Sequence, residues 1–227
     1  TNTTGIDNVA IGAYALCKNT IGTSNTALGR SALFTNTTGY NNTAVGTYSL
    51  YTNTNNCNTA VGTCSLYTNS IGQKNTALGN FTLKANTIGS WNTAIGESAL
   101  VTNTEGYNNV SIGYGSLRNN TTGYETVAIG NQSLCSNTTG YRNTAIGTES
   151  MRLNTIGIHN TAIGYASLKA NTTGINNVAV GYSALNNNTI GIDNVAVGFQ
   201  ALSQNTTGVD NVAIGKNAGA NISTGFR

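Results

Sequence analysis

Proline is absent from this 227-residue chain, and histidine, methionine and tryptophan occur once each. Charged residues make up 7% of the sequence, against about 25% in an ordinary soluble domain. Ten cations and seven anions give a formal net charge of +3. They are scattered, so no basic patch is available to hold nucleic acid or an anionic membrane. No apolar run approaches the roughly 18 residues that span a bilayer, which argues against direct membrane insertion. No stretch reads as a signal peptide. The chain begins in mid-repeat at Thr1 and is expected to be a fragment or a processed piece.

The chemistry-bearing motifs are missing as well. There is no phosphate-cradling loop, no nucleophile motif and no calcium-binding glycine-aspartate nonapeptide. His159 stands alone in a column of varied, solvated residues, and two aspartates in register, Asp193 and Asp210, have no third carboxylate beside them. A cation site normally takes more oxygen ligands than two aspartates supply. No catalytic residue, metal or cofactor is expected, and the chain does not read as an enzyme.

Cysteine is scarce, at four residues. Cys17 and Cys135 hold the same repeat position on coils far apart, beyond disulfide reach at about 4.8 Å per coil. Cys57 and Cys64 could lie across one corner, but free thiols are favoured, and the cysteines do not settle the redox compartment.

What is present is one phrase, N-[TV]-A-[IVL]-G-x-x-[AST]-L-x-x-N-T-[TI]-G-x-x, repeated in tandem with a period of 17. The glycine closing its first half recurs from Gly12 to Gly215, and only the step from Gly46 to Gly62 is short, at 16. So strict a period means stacked identical units. N-T-A-I-G reads as a short strand ended by glycine. Its alternation sends alanine to one side and the Thr/Val and Ile neighbours to the other; both sides read apolar, so both are expected to be covered. The leucine column, Leu16 through Leu202 with Met151 as its conservative swap, is expected to be buried.

Seventeen residues are too few for strand, helix and strand. The chain therefore reads as all-β, a parallel β-solenoid or β-roll of about thirteen coils forming one repeat domain over 1–227. An irregular coil falls around 53–62 and a degenerate terminal coil over 216–227, where Gly219 replaces leucine and Ile222 replaces asparagine. Both glycine series, Gly12 to Gly215 and Gly5 onward, are expected at corners that need positive φ or close backbone approach. Where the second series fails, Asn56 is expected to take its place as the next-best left-handed residue. Two asparagine columns, one starting at Asn8 and broken only by Thr126, the other starting at Asn19, are expected to hydrogen-bond along the axis. Thr20, Thr37, Thr54 and Thr87 form a structural hydroxyl column beside them. Glu125 and Arg142, adjacent in the variable column, read as a weak surface pair.

Three features address recognition. Phe34, Tyr51 and Tyr67 form one aromatic row and Tyr165, Tyr182 and Phe199 another; such rows could bind a surface glycan or host receptor, although aromatic rows also stabilise stacked strands by themselves. The column after the second glycine, with Ile6, Tyr40, Tyr107, Tyr124, Tyr141, Ile158, Ile175, Ile192 and Val209, would form an exposed apolar stripe on a narrow coil, so it is a candidate oligomer contact. N-x-S/T sequons, Asn36 and Asn137 among them, arise from N-T-T itself and matter only if the source glycosylates asparagine.

The tandem N-T-A-I-G…S/A-L motif resembles the head repeats of trimeric autotransporter adhesins and related viral and phage tail-fibre repeats, from Asn2 to Gly215. The resemblance implies a left-handed parallel β-roll, a homotrimer, and an extracellular position on a cell or virion surface. The adhesin repeat is shorter; the extra N-T-T-G corner here could change the coil's cross-section. The expected function is a non-enzymatic rigid fibre or adhesin segment for attachment or display. The alternatives are a self-assembling extracellular filament of head-to-tail stacked subunits and, less favoured, ice binding through the threonine columns.

Overall fold

The computed structural model describes residues 2–225. It is all-β, a parallel β-solenoid with a repeat of about 17 residues and no helix among the described residues. Thirteen strands of three residues each carry it: β1 (Val9–Ile11), β2 (Thr26–Leu28), β3 (Thr43–Val45), β4 (Thr59–Val61), β5 (Thr76–Leu78), β6 (Thr93–Ile95), β7 (Val110–Ile112), β8 (Val127–Ile129), β9 (Thr144–Ile146), β10 (Thr161–Ile163), β11 (Val178–Val180), β12 (Val195–Val197) and β13 (Val212–Ile214). The chain divides after Ser111 into two compact units.

In the first unit β1 to β6 pair in parallel and in sequence order, each alanine over the next: Ala10 with Ala27, Ala27 with Ala44, and so on to Ala77 with Ala94. The short repeat is absorbed without a slip, because Ala44 pairs with Ala60 across a 16-residue step. In the second unit β8 to β13 pair in the same way. Like therefore sits on like at the spacing of hydrogen-bonded strands, about 4.8 Å.

Each strand is short because glycine ends it. The glycines from Gly12 to Gly215 have φ between 121° and 136°, a region closed to residues with a Cβ. A Cβ on Gly46 would also lie 2.6 Å from the Gly62 carbonyl oxygen. The second glycine series serves the other purpose only. Gly22, Gly89 and their equivalents are absent from the positive-φ residues, but a Cβ on Gly89 would meet Asn103 Nδ2 at 2.8 Å.

Left-handed backbone is carried instead by non-glycine residues, three in most coils: Ser31, Leu33 and Asn41, then Tyr48, Leu50 and Cys57, and so on down the chain. Even Trp91 and Arg142, in the variable outer column, have φ of 57° and 55°. Each such residue costs roughly 1–2 kcal/mol, and the neighbouring rung enforces it. The N–H of Ser31 donates to Ala13, that of Leu33 to Ser49 and that of Asn41 to Thr23, at 2.8, 3.0 and 3.1 Å. This also corrects the expectation for the irregular coil. Asn56 is not left-handed; Cys57 is, with φ of 59°. Asn55 fills the missing glycine's place, its carbonyl accepting from Asn42 and Asn53, each at 2.8 Å.

The core is thin and layered. The strand alanines from Ala27 to Ala196 with Ser111, and the leucine column with Met151, are buried. Burial of one such leucine contributes about 1.5–3 kcal/mol. Both asparagine columns are buried with them. Asn25 Nδ2 donates to Asn8 Oδ1 and to the Gly39 carbonyl at 3.1 and 2.8 Å, and its backbone N–H donates to the same Asn8 Oδ1 at 3.0 Å. In the second column Asn137 Nδ2 donates to Asn120 Oδ1 and to the Gly140 carbonyl, both at 2.9 Å. Most ladder amides thus donate one N–H back to the preceding rung, and Asn205 Oδ1 and Asn211 Oδ1 are buried without a partner among the described residues. Thr20 and Thr138 show the hydroxyl column's role, donating to the carbonyls of Thr37 and Thr155 at 2.9 and 3.1 Å.

The outward side of the strands differs from expectation: it is not covered within the chain. Leu28, Leu78, Ile95 and Ile163 lie exposed and their Thr/Val companions are mostly half-exposed. A three-residue strand flanked by tight corners has only one face turned to the narrow interior, and nothing in the coil folds back over the other.

Leu134→Ala is expected to lower stability by about 2–5 kcal/mol through lost burial and a residual cavity. Asn171→Ala, which leaves Asn154 Oδ1 and an Asn188 N–H unmet, is expected to cost about 1–3 kcal/mol for each orphaned group. Urea unfolding followed by circular dichroism measures both.

Candidate functional site

The two aromatic rows form as the repeat dictates. Phe34, Tyr51 and Tyr67 stack with centroids 5.1 Å apart and interplanar angles of 9° and 5°. Tyr165, Tyr182 and Phe199 stack at 5.1 and 5.2 Å, with angles of 16° and 11°. Because the rings lie face to face along the coil axis, most of their faces are turned on one another. What they offer outward is a line of ring edges with tyrosine hydroxyls.

Two further rings join the first row. Tyr48 contacts Tyr51 and Tyr67 edge-on at 5.6 and 6.2 Å, and Tyr14 meets Phe34 at 6.5 Å. The signal for them was present: each sits three residues before the row's own column in its repeat, at the left-handed corner position. The second row is the more open, Tyr165, Tyr182 and Phe199 all being exposed.

The apolar stripe after the second glycine is uneven. Ile6, Tyr40, Tyr107 and Ile192 are exposed, whereas Tyr124, Tyr141, Ile158, Ile175 and Val209 are half-buried. Tyr124 and Tyr141 stack at 4.6 Å, His159 caps Tyr141 edge-on at 5.6 Å, and Ile192 bridges Val209 in parallel. The outward strand column, from Leu28 to Ile163, is a second apolar stripe that the alternation alone did not single out as uncovered.

Charge is neutralised locally. Arg142 donates to Glu125 at 2.7 Å, while Arg152 and Lys169 both pair with Glu149, at 3.0 and 2.7 Å. Lys18, Arg30, Lys74, Lys84 and Lys216 each lie over an aromatic ring, within 6.0 Å of its centroid. The hydrogen bond from Lys169, with the charges of Lys169 and Arg152, holds the Glu149 carboxyl below its ordinary range against the opposing effect of burial.

None of the four cysteines is in a disulfide, Cys57 and Cys64 included. Burial pushes the Cys135 thiol up despite the nearby Arg118 and Arg152 charges, a shift away from the thiolate form. Among the described residues no group of three or more histidine, cysteine, aspartate or glutamate side chains is placed to hold a metal ion. Among the described residues no helix is long and apolar enough to cross a membrane. No protein-family model matches the chain, and no curated protein matches it in sequence.

A depressed carboxyl stabilises the fold above its unfolded pKa, and that contribution fades as pH falls through the folded value. Glu149→Gln is therefore expected to make the melting temperature less sensitive to acidification below about pH 4.5, read by thermal melts across the acid range.

Proposed function

We propose that this chain is a non-enzymatic segment of a surface fibre or adhesin, a stiff scaffold that displays repeated side-chain columns, and that it works as a homo-oligomer, with a trimer favoured. The observation that carries the reading is the pair of apolar stripes left open on a hydrogen-bonded array: the outward strand column with Leu28, Leu78, Ile95 and Ile163, and the column with Ile6, Tyr40, Tyr107 and Ile192. Long apolar surface of this kind mediates association, and in a coil whose interior is already filled by alanine, leucine and asparagine it has no partner within its own rung.

Within each unit successive rungs are tied by backbone hydrogen bonds and by side-chain amide and hydroxyl bonds. Such coupling resists bending and suits a part that transmits force or spaces other elements. The resemblance to trimeric adhesin heads and tail-fibre repeats, carried by N-T-A-I-G and the leucine that follows, supports an extracellular or virion-surface position. The exposed row Tyr165, Tyr182 and Phe199, with its hydroxyl-bearing edges, is the part of the surface suited to a glycan or receptor.

Sedimentation equilibrium should give three chain masses, independent of concentration over a wide range. A monomer that stays soluble at high concentration would remove the oligomer reading, and open-ended growth would replace the trimer with end-to-end stacking. On a glycan array Tyr182→Ala should lose whatever binding the parent shows, without loss of thermal stability beyond about 1 kcal/mol.

A further inference from the structure

We propose that Asn41, with Asn221 in the terminal coil, is where the folded chain accepts an asparagine-linked sugar, and that the sequons of the buried ladder are closed to it. The triplet N-x-S/T occurs throughout this sequence, yet the fold gives its copies opposite fates. From Asn36 onward the asparagine of N-T-T belongs to the inner ladder. Asn36, Asn137, Asn171 and Asn205 are buried. Asn36 Nδ2 spends both N–H groups, on Asn19 Oδ1 at 3.1 Å and on the Gly39 carbonyl at 3.0 Å, and Asn171 Nδ2 does the same with Asn154 Oδ1 and Gly174. A sugar on that nitrogen would replace one of those N–H bonds and occupy space already filled by the neighbouring amide, one strand spacing away.

Sequons on the outer columns have exposed asparagines but committed hydroxyls two residues on. The Asn80 sequon ends at Thr82, buried and donating to the Gly96 carbonyl at 2.8 Å. The Asn131 sequon ends at Ser133, buried and donating to Ala145 at 3.0 Å. The Asn119 sequon ends at Thr121, whose hydroxyl donates to Thr138 at 3.1 Å. Transferases of this class read that hydroxyl, so these copies lack an accessible half of the signal.

Asn41-Asn42-Thr43 combines both halves. Asn41 is exposed at a corner, with φ of 56°, and its side chain has no hydrogen-bond partner among the described residues. Thr43 points outward from β3, and its hydroxyl is likewise uncommitted. The neighbours of Asn41 in its column are Ser24 and Cys57, both small and exposed. Asn221-Ile222-Ser223, exposed in the terminal coil, meets the same two conditions. In the transfer, Asn41 Nδ2 forms a bond to the anomeric carbon of a nucleotide sugar, the bond from that carbon to the nucleotide diphosphate breaks and the diphosphate leaves with its electron pair, and one amide proton passes to the transferase's base.

The folded full chain would be incubated with a soluble asparagine glucosyltransferase and UDP-glucose, then digested and mapped by mass spectrometry. One hexose is expected at Asn41, with a second at Asn221; none is expected at Asn36 or Asn137, and Asn41→Gln loses the first. Proteolytic fragments of the chain, treated identically, should gain hexose at Asn36 and Asn137. Absence of sugar from Asn41 in the folded chain overturns the proposal. So does sugar at Asn36 or Asn137 in a chain that keeps its β-sheet circular dichroism, or fragments that stay unlabelled at those two positions.

Discussion

Every other feature of this fold depends on exact superposition of one rung on the next, fixed from inside by amide groups. An asparagine side chain buried alone would cost free energy for each unmet polar atom. Stacked at the strand spacing, each amide meets its neighbour, and the ladder turns a liability into a register device: a slip of even one residue would orphan a whole column. The hydrophobic layer is less discriminating, since alanine on alanine and leucine on leucine tolerate small shifts. Specificity therefore sits in the polar columns and bulk stabilisation in the apolar ones.

That constraint explains the backbone's unusual corners. A 17-residue turn must bring the chain round to the start of the next strand, and the corner residues are held left-handed by hydrogen bonds to adjacent rungs and not by their own preferences. Leu33 and Leu50 adopt φ near 50° because their side chains must point into the interior there. The variable outer column tolerates tryptophan, lysine, arginine and histidine at the same angle, since its strain is imposed by the array and not relieved by choice of residue.

The repeat made much of this legible in the sequence. A fixed period, a leucine column and a glycine that ends each strand predicted the parallel solenoid, the buried leucines and the asparagine ladders, because each depends only on which residues recur. What recurrence does not encode is direction and distance. The open outward face of the strands was read as covered, since apolar alternation does not say how many layers exist. Asn56 was assigned the corner that Cys57 and Asn55 share, because deletion of one residue can be accommodated at more than one place in a loop. The aromatic rows were visible as columns, but not that their faces would be spent on each other.

Direction has one more consequence. In the second unit each amide from Asn137 to Asn205 donates back to the side-chain carbonyl of the preceding rung, so those carbonyls are aligned, as peptide carbonyls are in an α-helix. Peptide-like dipoles of about 3.5 D each then add head to tail, and each polarises the next. In the second unit the negative pole lies at the late rungs, where Asn205 Oδ1 and Asn211 Oδ1 have no donor among the described residues. The array thus carries an electrical polarity along its axis that owes nothing to its few ionised groups, and that salt would screen only where the columns reach solvent.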